Sequence, residues 1–579
     1  MTIHPRHVWP AVAAALALMG AGCGEERDGG TAGGERGGTL TVLSQGDVDS
    51  LDPGFHYYQY DYMALSMPTQ RALYGWRPQD TRPSPDLADG MPRVSADGRT
   101  VTVRIKPGIR YSDPVNRAVA SRDVKYAIER GFLPQVGNGY AKSYFGDLEG
   151  VEAFTDGKAR EIAGLEAPDD RTLVFRLAKP TGVIANANAL ALPLTVPVPK
   201  EYAARFDTGK QSTYGQHQVF TGPYMLPHDR TGKVTRAGYD PGKRIVLVRN
   251  PAWSRATDFR PAHLDRIELL GGNDLTVASR KVLGGRSMVS GDYGAPPPAV
   301  LKQALERNED QLEIIPSGGN RYIALNTRVE PFDDLNVRRA VAAAIDRNAL
   351  RLTRGGPTVG EIATHFIPPN IPGFEEAGGR EASFDFMEKP AGDMALAASY
   401  LKQAGFEGGK YDGEERLLMV GDDEPPASKT GEAVQAKLQD LGFRLNYRQV
   451  PHETAQQKFC GTPKARVAIC PNLGWGKDFY DGQSLIDPTF NGKNIVPVGN
   501  VNVPQLDDPE INAAIERAKQ ETDPAARARA WGELDRRITG LAVVIPWLWD
   551  NQINLRSANV NGVSNRFNSS WDLSFTSLK

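Results

Sequence analysis

Strand-like and helix-like periodicities interleave from one end of this chain to the other, and that mixture restricts its fold more than any single motif. "TLTVL" from Thr39, "RIVLVRN" from Arg244 and "LDRIELL" from Leu264 read as strands. "DGRTVTVRIKPG" from Asp97 and "DDRTLVFRLAKP" from Asp169 share a turn–strand–turn grammar. Two such units predict neighbours in one antiparallel sheet; they are too few for a solenoid. Between the strands lie amphipathic stretches. Ser121 is the expected cap of "SRDVKYAIERGF", which places Val124, Ala127 and Ile128 on one face. Asp334 is the expected start of "LNVRRAVAAAIDRNAL", with Val337, Val341, Ala344 and Ile345 as its apolar stripe. "PEINAAIERAKQ" and "PAARARAWGELDRRITGL" predict two more helices, and "VVIPWLW" after them a buried strand. The class is therefore α/β, and 579 residues are too many for one core, so at least two lobes are expected.

The ends and the cysteines set the compartment. His4, Arg6 and His7 precede the apolar run "VWPAVAAALALMGAG", which ends at Cys23. That is the build of a secretory signal and is short for a membrane span. Its end resembles a bacterial lipobox, although Gly20 stands where such motifs carry a branched aliphatic residue. The expectation is a signal over residues 1–23, lipidation at Cys23, and a polar glycine-rich tether over residues 24–38. This implies an exported protein held on the extracytoplasmic face of the cell membrane through its lipid. A net charge of −2 gives no electrostatic reason to bind nucleic acid. In an oxidising compartment Cys460 and Cys470 are expected to form a disulfide. Two thiols without a paired histidine make a poor zinc site, and six scattered histidines remain beyond the signal, so neither metal nor cofactor is expected.

Five motifs then fall in the order of a known family. "LADGMPRVSADGRTVTVRIKPGIRYSDPV" resembles its opening signature, without the usual tryptophan and with Asp-Pro in place of Asp-Gly. "AVASRDVKYAIER", "FTGPYML" and "NTRVEPFDDLNVRRAVAAAIDRNAL" resemble its next three signatures, the last being the most specific. On these motifs and "GWGKDFYDG", residues 39–579 resemble the extracytoplasmic solute-binding proteins of family 5, the oligopeptide, dipeptide and nickel binders of ABC importers. The resemblance implies a two-lobed periplasmic-binding-protein fold of type II. It is the large variant with an extra subdomain, closing on a ligand about a two-segment hinge. Lobe I is expected over 39–318, lobe II over 319–541, and a C-terminal return to lobe I over 542–579. The implied partners are a short peptide or another amine-bearing solute and a membrane permease, with the protein acting as a monomer. A ligand-sensing lipoprotein of the same fold is the alternative.

The resemblance also implies a site. In "GWGKDFYDG", Gly474, Trp475 and Asp478 match the family motif whose aspartate pairs with the ligand's α-ammonium, with Phe479 where the family has tyrosine or asparagine. A carboxylate in an open wet cleft costs little, but in a closed one it costs several kcal/mol unless an opposite charge arrives with it. Lys477 and Asp481 are expected in solvent; alternatively Lys477 pairs with Asp478 and neutralises the site. Tyr58 and Tyr60, in "FHYYQYDY", are candidate cleft walls. So are Trp547 and Trp549, which alternate with Leu548 and so are expected on one face. The rival enzyme reading is a serine hydrolase or transpeptidase built on Ser399 and Lys402 of "SYLK", "KTG" at Lys429–Gly431 and "SAN" at Ser557. It fails on order and context, because the third element follows the second and "SYLK" sits in an ordinary amphipathic helix. No catalytic residue is assigned.

Overall fold

The structure, a computed structural model, describes residues 36–48, 50–55, 62–291, 295–497 and 499–579. Cys23, Tyr58, Tyr60 and the expected signal lie outside the described residues. No described helix is long and apolar enough to cross a membrane.

Three sheets organise the body. The first places Thr39–Leu43 between Met288–Ser290 and Arg266–Leu270, parallel to both, and continues antiparallel through Arg244–Arg249 to Tyr224–Met225. The second is small and antiparallel. In it the two similar sequence units lie side by side, Thr100–Arg104 against Thr172–Arg176, with Val101 opposite Phe175. Alternation dictates this, since Val101, Val103, Leu173 and Phe175 all point inward and are fully or almost fully buried. The third sheet runs in the order Gly360–Glu361, Val544–Leu555, Leu312–Leu325, Ile469–Gly476, Arg416–Asp422, Arg444–Val450. Its helices pack as the apolar stripes require. Leu335–Ala344 buries Val337 and Val341, and the Asp334 carboxylate accepts from the amides of Asn336 at 2.6 Å and Val337 at 3.1 Å. The cap at Ser121 is corrected. Ser121 is the first helical residue, and the Asp123 carboxylate reaches back to the Ala120 amide at 2.9 Å.

Two long strands join the N-terminal block to the rest. Leu312–Leu325 pairs antiparallel with Val544–Leu555, from Leu312 opposite Leu555 to Ala324 opposite Val544. Just beyond the outer end, Arg556 bridges to Val289 of the first sheet. The ladder breaks once between Pro316 and Asn320, where Ser317, Gly318 and Gly319 bulge out, and again between Arg321 and Tyr322. The second break corrects the expectation for the tryptophans. It leaves Trp547 as the extra residue, so Trp547 and Leu548 both enter the core that includes Val337 and Ile345. Trp549 turns to the opposite face, against His365 and Phe374 at 5.1 Å each. Both indoles are buried, at 0% and 2% exposure.

The largest apolar cluster draws on both blocks. Leu165, Phe175 and Leu190 share it with Phe366, Trp531 and Trp549, so the two blocks are packed together.

Candidate ligand site

The loop carrying Asp478 is held from three sides. Upstream, the strand Ile469–Gly476 pairs with Leu312–Leu325, setting Gly474 opposite Arg321 and Trp475 opposite Asn320. Cys470 on that strand is bonded to Cys460, with Cα atoms 6.3 Å apart, so the strand is tied to the preceding helical turn. The Trp475 ring is half-buried, and its Nε1 donates to the Ser484 carbonyl at 2.8 Å, closing the loop on itself. Gly474 is exposed, and a Cβ there would stand 2.7 Å from an Arg321 guanidinium nitrogen, so glycine leaves that arginine its place.

Lys477 and Asp481, both expected in solvent, are buried. Lys477 lays its stem across the bulge at Gly318. Its Nζ donates to the Ser317 carbonyl at 2.6 Å and stands 4.9 Å from the Tyr480 ring centre. Gly318 has φ +69°, and a Cβ there would sit 2.4 Å from that Nζ, so both its conformation and the lysine demand glycine. Burial pushes the Lys477 ammonium down to about 7. Asp481 is burdened with structure, not solvent. It accepts from Arg527 at 2.6 and 3.0 Å and from the Gln483 amide at 2.9 Å.

Asp478 points at the N-terminal block. Its carboxylate accepts from the hydroxyl of Tyr144, which lies on the short helix Ala141–Phe145. Tyr144 also packs edge-on to Phe479 at 4.9 Å and stacks with Tyr140 at 6.0 Å. Among the described residues no cation lies within ion-pairing distance of Asp478. Burial pushes the carboxyl up to about 7, and the Tyr144 hydrogen bond offsets only part of that. Beyond Tyr480 the junction continues as an aromatic wall. Trp76 stacks on Phe567 at 4.4 Å, and Tyr480 lies 5.9 Å from Trp76. The Tyr480 hydroxyl donates to the Arg566 carbonyl.

The sequence alone did not point to Tyr144, Trp76, Phe567 or Arg527. Tyr140, the N-cap, and Tyr144 stand four apart at one short helix, which is a visible pattern, but nothing local links them to a loop more than 300 residues away. The hydrolase pieces are not assembled. Ser399 and Lys429 sit on separate helices, Lys429 pairs with Glu432 at 2.9 Å, and the buried Ser557 hydroxyl donates to the Val282 carbonyl at 2.8 Å.

Comparison with known proteins now decides the family. Residues 82–496 match the description "Bacterial extracellular solute-binding proteins, family 5 Middle". This chain belongs to family 5. The "Dipeptide-binding protein DppE" of Bacillus subtilis (strain 168) is 24% identical over 575 residues, covering 96% of this chain and 95% of that one. The "Probable deoxycholate-binding periplasmic protein YgiS" of Escherichia coli (strain K12) is 23% identical over 480 residues, covering 80% of each. Among solved structures, "Clavulanic acid biosynthesis oligopeptide binding protein 2" superposes with a TM-score of 0.82 at 30% identity, covering 94% of this chain and 96% of that one. The two-lobed periplasmic-binding fold of family 5 is thus the fold of this protein.

Proposed function

We propose that this family 5 protein is the extracytoplasmic binding component of an ABC importer. It captures a short peptide or another amine-bearing solute between its lobes and delivers it to a membrane permease. Lobe I comprises residues 39–318 and lobe II runs from residue 319 to the second crossing at Asp550, since Trp547 and Leu548 share a core with Val337 and Ile345, and the chain then returns to lobe I; Cys23 carries the lipid that holds the protein at the membrane. The hinge lies where the paired crossing strands lose register, at Ser317–Gly319 and the facing Asp550.

One observation carries the reading. Asp478 is a carboxylate buried at the meeting of the blocks and answered only in part, by a neutral tyrosine hydroxyl. A buried carboxylate meeting an ammonium gains a short charge-assisted hydrogen bond that the phenol does not match. The incoming ammonium replaces or joins the Tyr144 hydroxyl, and closure gains most when it is present, which is a ligand-driven shift of a two-state hinge. Dipeptide and oligopeptide binders among the relatives agree with this choice. A bile acid such as deoxycholate has no ammonium, so the fold alone does not require an amine. The test is Asp478→Ala. Removing one partner of a buried ion pair costs about 3–5 kcal/mol, so tripeptide affinity measured by calorimetry is expected to fall at least about a hundredfold. Unchanged affinity overturns the amine anchor. Native mass spectrometry of the purified protein identifies the solute it carries.

A further inference from the structure

The two blocks meet a second time, on the helix Pro509–Gln520. Lys179 follows the last strand of the small sheet and reaches Glu516 on that helix at 2.7 Å, with Asp147 at 3.4 Å on its own side. Among the described residues, Lys179–Glu516 is the only ion pair joining residues 36–291 to residues 295–541. Glu516 is steadied by Lys519 at 3.5 Å and Lys493 at 3.6 Å. Burial pushes its carboxyl up, but the hydrogen bond from Lys179 and the nearby ammonium groups outweigh this and hold it at about 2.

The contact is wider than one pair. Asn186 donates to the Thr522 carbonyl at 3.2 Å, just past the helix. Gly182 lies so close that a Cβ would stand 2.3 Å from the Glu521 carbonyl oxygen. The same helix end is tied to the ligand loop by one buried side chain. Arg527 donates to the carbonyls of Ala518 at 2.8 Å and Glu521 at 3.2 Å, and its remaining N–H groups grip Asp481 at 2.6 and 3.0 Å. A guanidinium is planar and stiff, so the docked helix end and the loop move as a unit.

We infer that Lys179–Glu516 is a latch that holds the lobes closed, with Arg527 positioning the ligand loop against the latched helix. It rests on the capture reading above in taking closure as the step that traps the solute. Closure follows encounter, so the latch governs how slowly a bound ligand leaves, not how fast it arrives.

The test uses the full-length folded body and Lys179→Met, which keeps the stem and removes the charge. Stopped-flow release of an alanine tripeptide is expected to quicken by roughly two- to fivefold, the range for a partly exposed ion pair, with the association rate unchanged. Small-angle scattering without ligand is expected to give a larger radius of gyration. Lys179→Arg restores both readouts, Glu516→Gln repeats the loss, and Lys158→Met, which breaks an exposed pair at 2.8 Å within one turn, changes neither. Release and radius unchanged in Lys179→Met, or an equal effect from Lys158→Met, overturns the latch. The scattering readout separates the two proposals: if Asp478→Ala leaves tripeptide affinity intact while Lys179→Met still opens the protein, the amine anchor falls and the latch stands.

Discussion

With Asp478 as the proposed amine anchor, binding and stability depend on pH in opposite senses. Burial raises the Asp478 carboxyl from the ordinary 3.8 to about 7. A raised carboxyl stabilises the fold below pH 3.8, and that contribution is lost as pH climbs through about 7, at most about 4 kcal/mol in all. Lys477 works in a separate window. Its depressed value means stability recovers between about 7 and 10.5. Asp478→Asn keeps the shape, accepts from Tyr144 and carries no charge. It is therefore expected to flatten the fall in melting temperature between pH 4 and pH 7 and to raise the melting temperature at pH 8, as differential scanning calorimetry will show. An equal or lower melting temperature at pH 8 contradicts the burial argument. For the ligand the sign reverses. An ammonium favours the ionised carboxylate, so below pH 7 binding must expel a proton, and affinity is expected to drop by up to about tenfold per pH unit. A carboxylate that stays solvated without ligand titrates near 3.8 and leaves affinity flat from pH 5 to pH 8.

The strand Ile469–Gly476 and the bulge beside it are the elements on which the site depends. The Cys460–Cys470 bridge closes a short loop on that strand, and its removal in Cys460→Ser/Cys470→Ser is expected to cost about 3 kcal/mol in the chain-entropy model, read as a lower urea midpoint. At Gly318, a valine requires a left-handed backbone conformation that branched residues avoid and displaces Lys477 from the Ser317 carbonyl. Gly318→Val is expected to lower both the melting temperature and tripeptide affinity; an affinity loss without any stability loss contradicts the packing account. These elements also show what was legible in the sequence. The strands around Thr39, Thr100 and Thr172 declare themselves by alternation, and Asp334 by its place before an apolar stripe. Trp547 and Trp549 mislead for a definite reason: a bulge of one extra residue, Trp547, changes the face, and it depends on the partner strand, not on local sequence. Lys477 and Asp481 mislead likewise. A lysine and an aspartate in a glycine-rich loop read as solvated until Gly318 and Arg527, remote in sequence, are seen to enclose them.

The whole molecule, as proposed, is a hinge with a neutral contact at Asp478 and an ionic one at Glu516 between the blocks. At Asp478 a tyrosine hydroxyl meets a carboxylate; at Glu516 a lysine does. Among the described residues no positive charge answers the first, and the proposed ligand ammonium is what would supply it. The apolar cluster shared by both blocks gives closure a driving force of its own, so selectivity must come from the polar deficit, not from apolar burial. The measurement that reaches this claim most directly is a two-by-two calorimetric cycle: an alanine tripeptide and its N-acetylated form, each titrated into the native protein and into Asp478→Asn. Acetylation removes the ammonium and leaves the rest of the ligand. The account predicts that acetylation weakens binding to the native protein at least about a hundredfold and changes binding to the variant by less than about threefold, because the penalty exists only where the carboxylate does. An acetylated tripeptide that binds the native protein as tightly as the free one contradicts it.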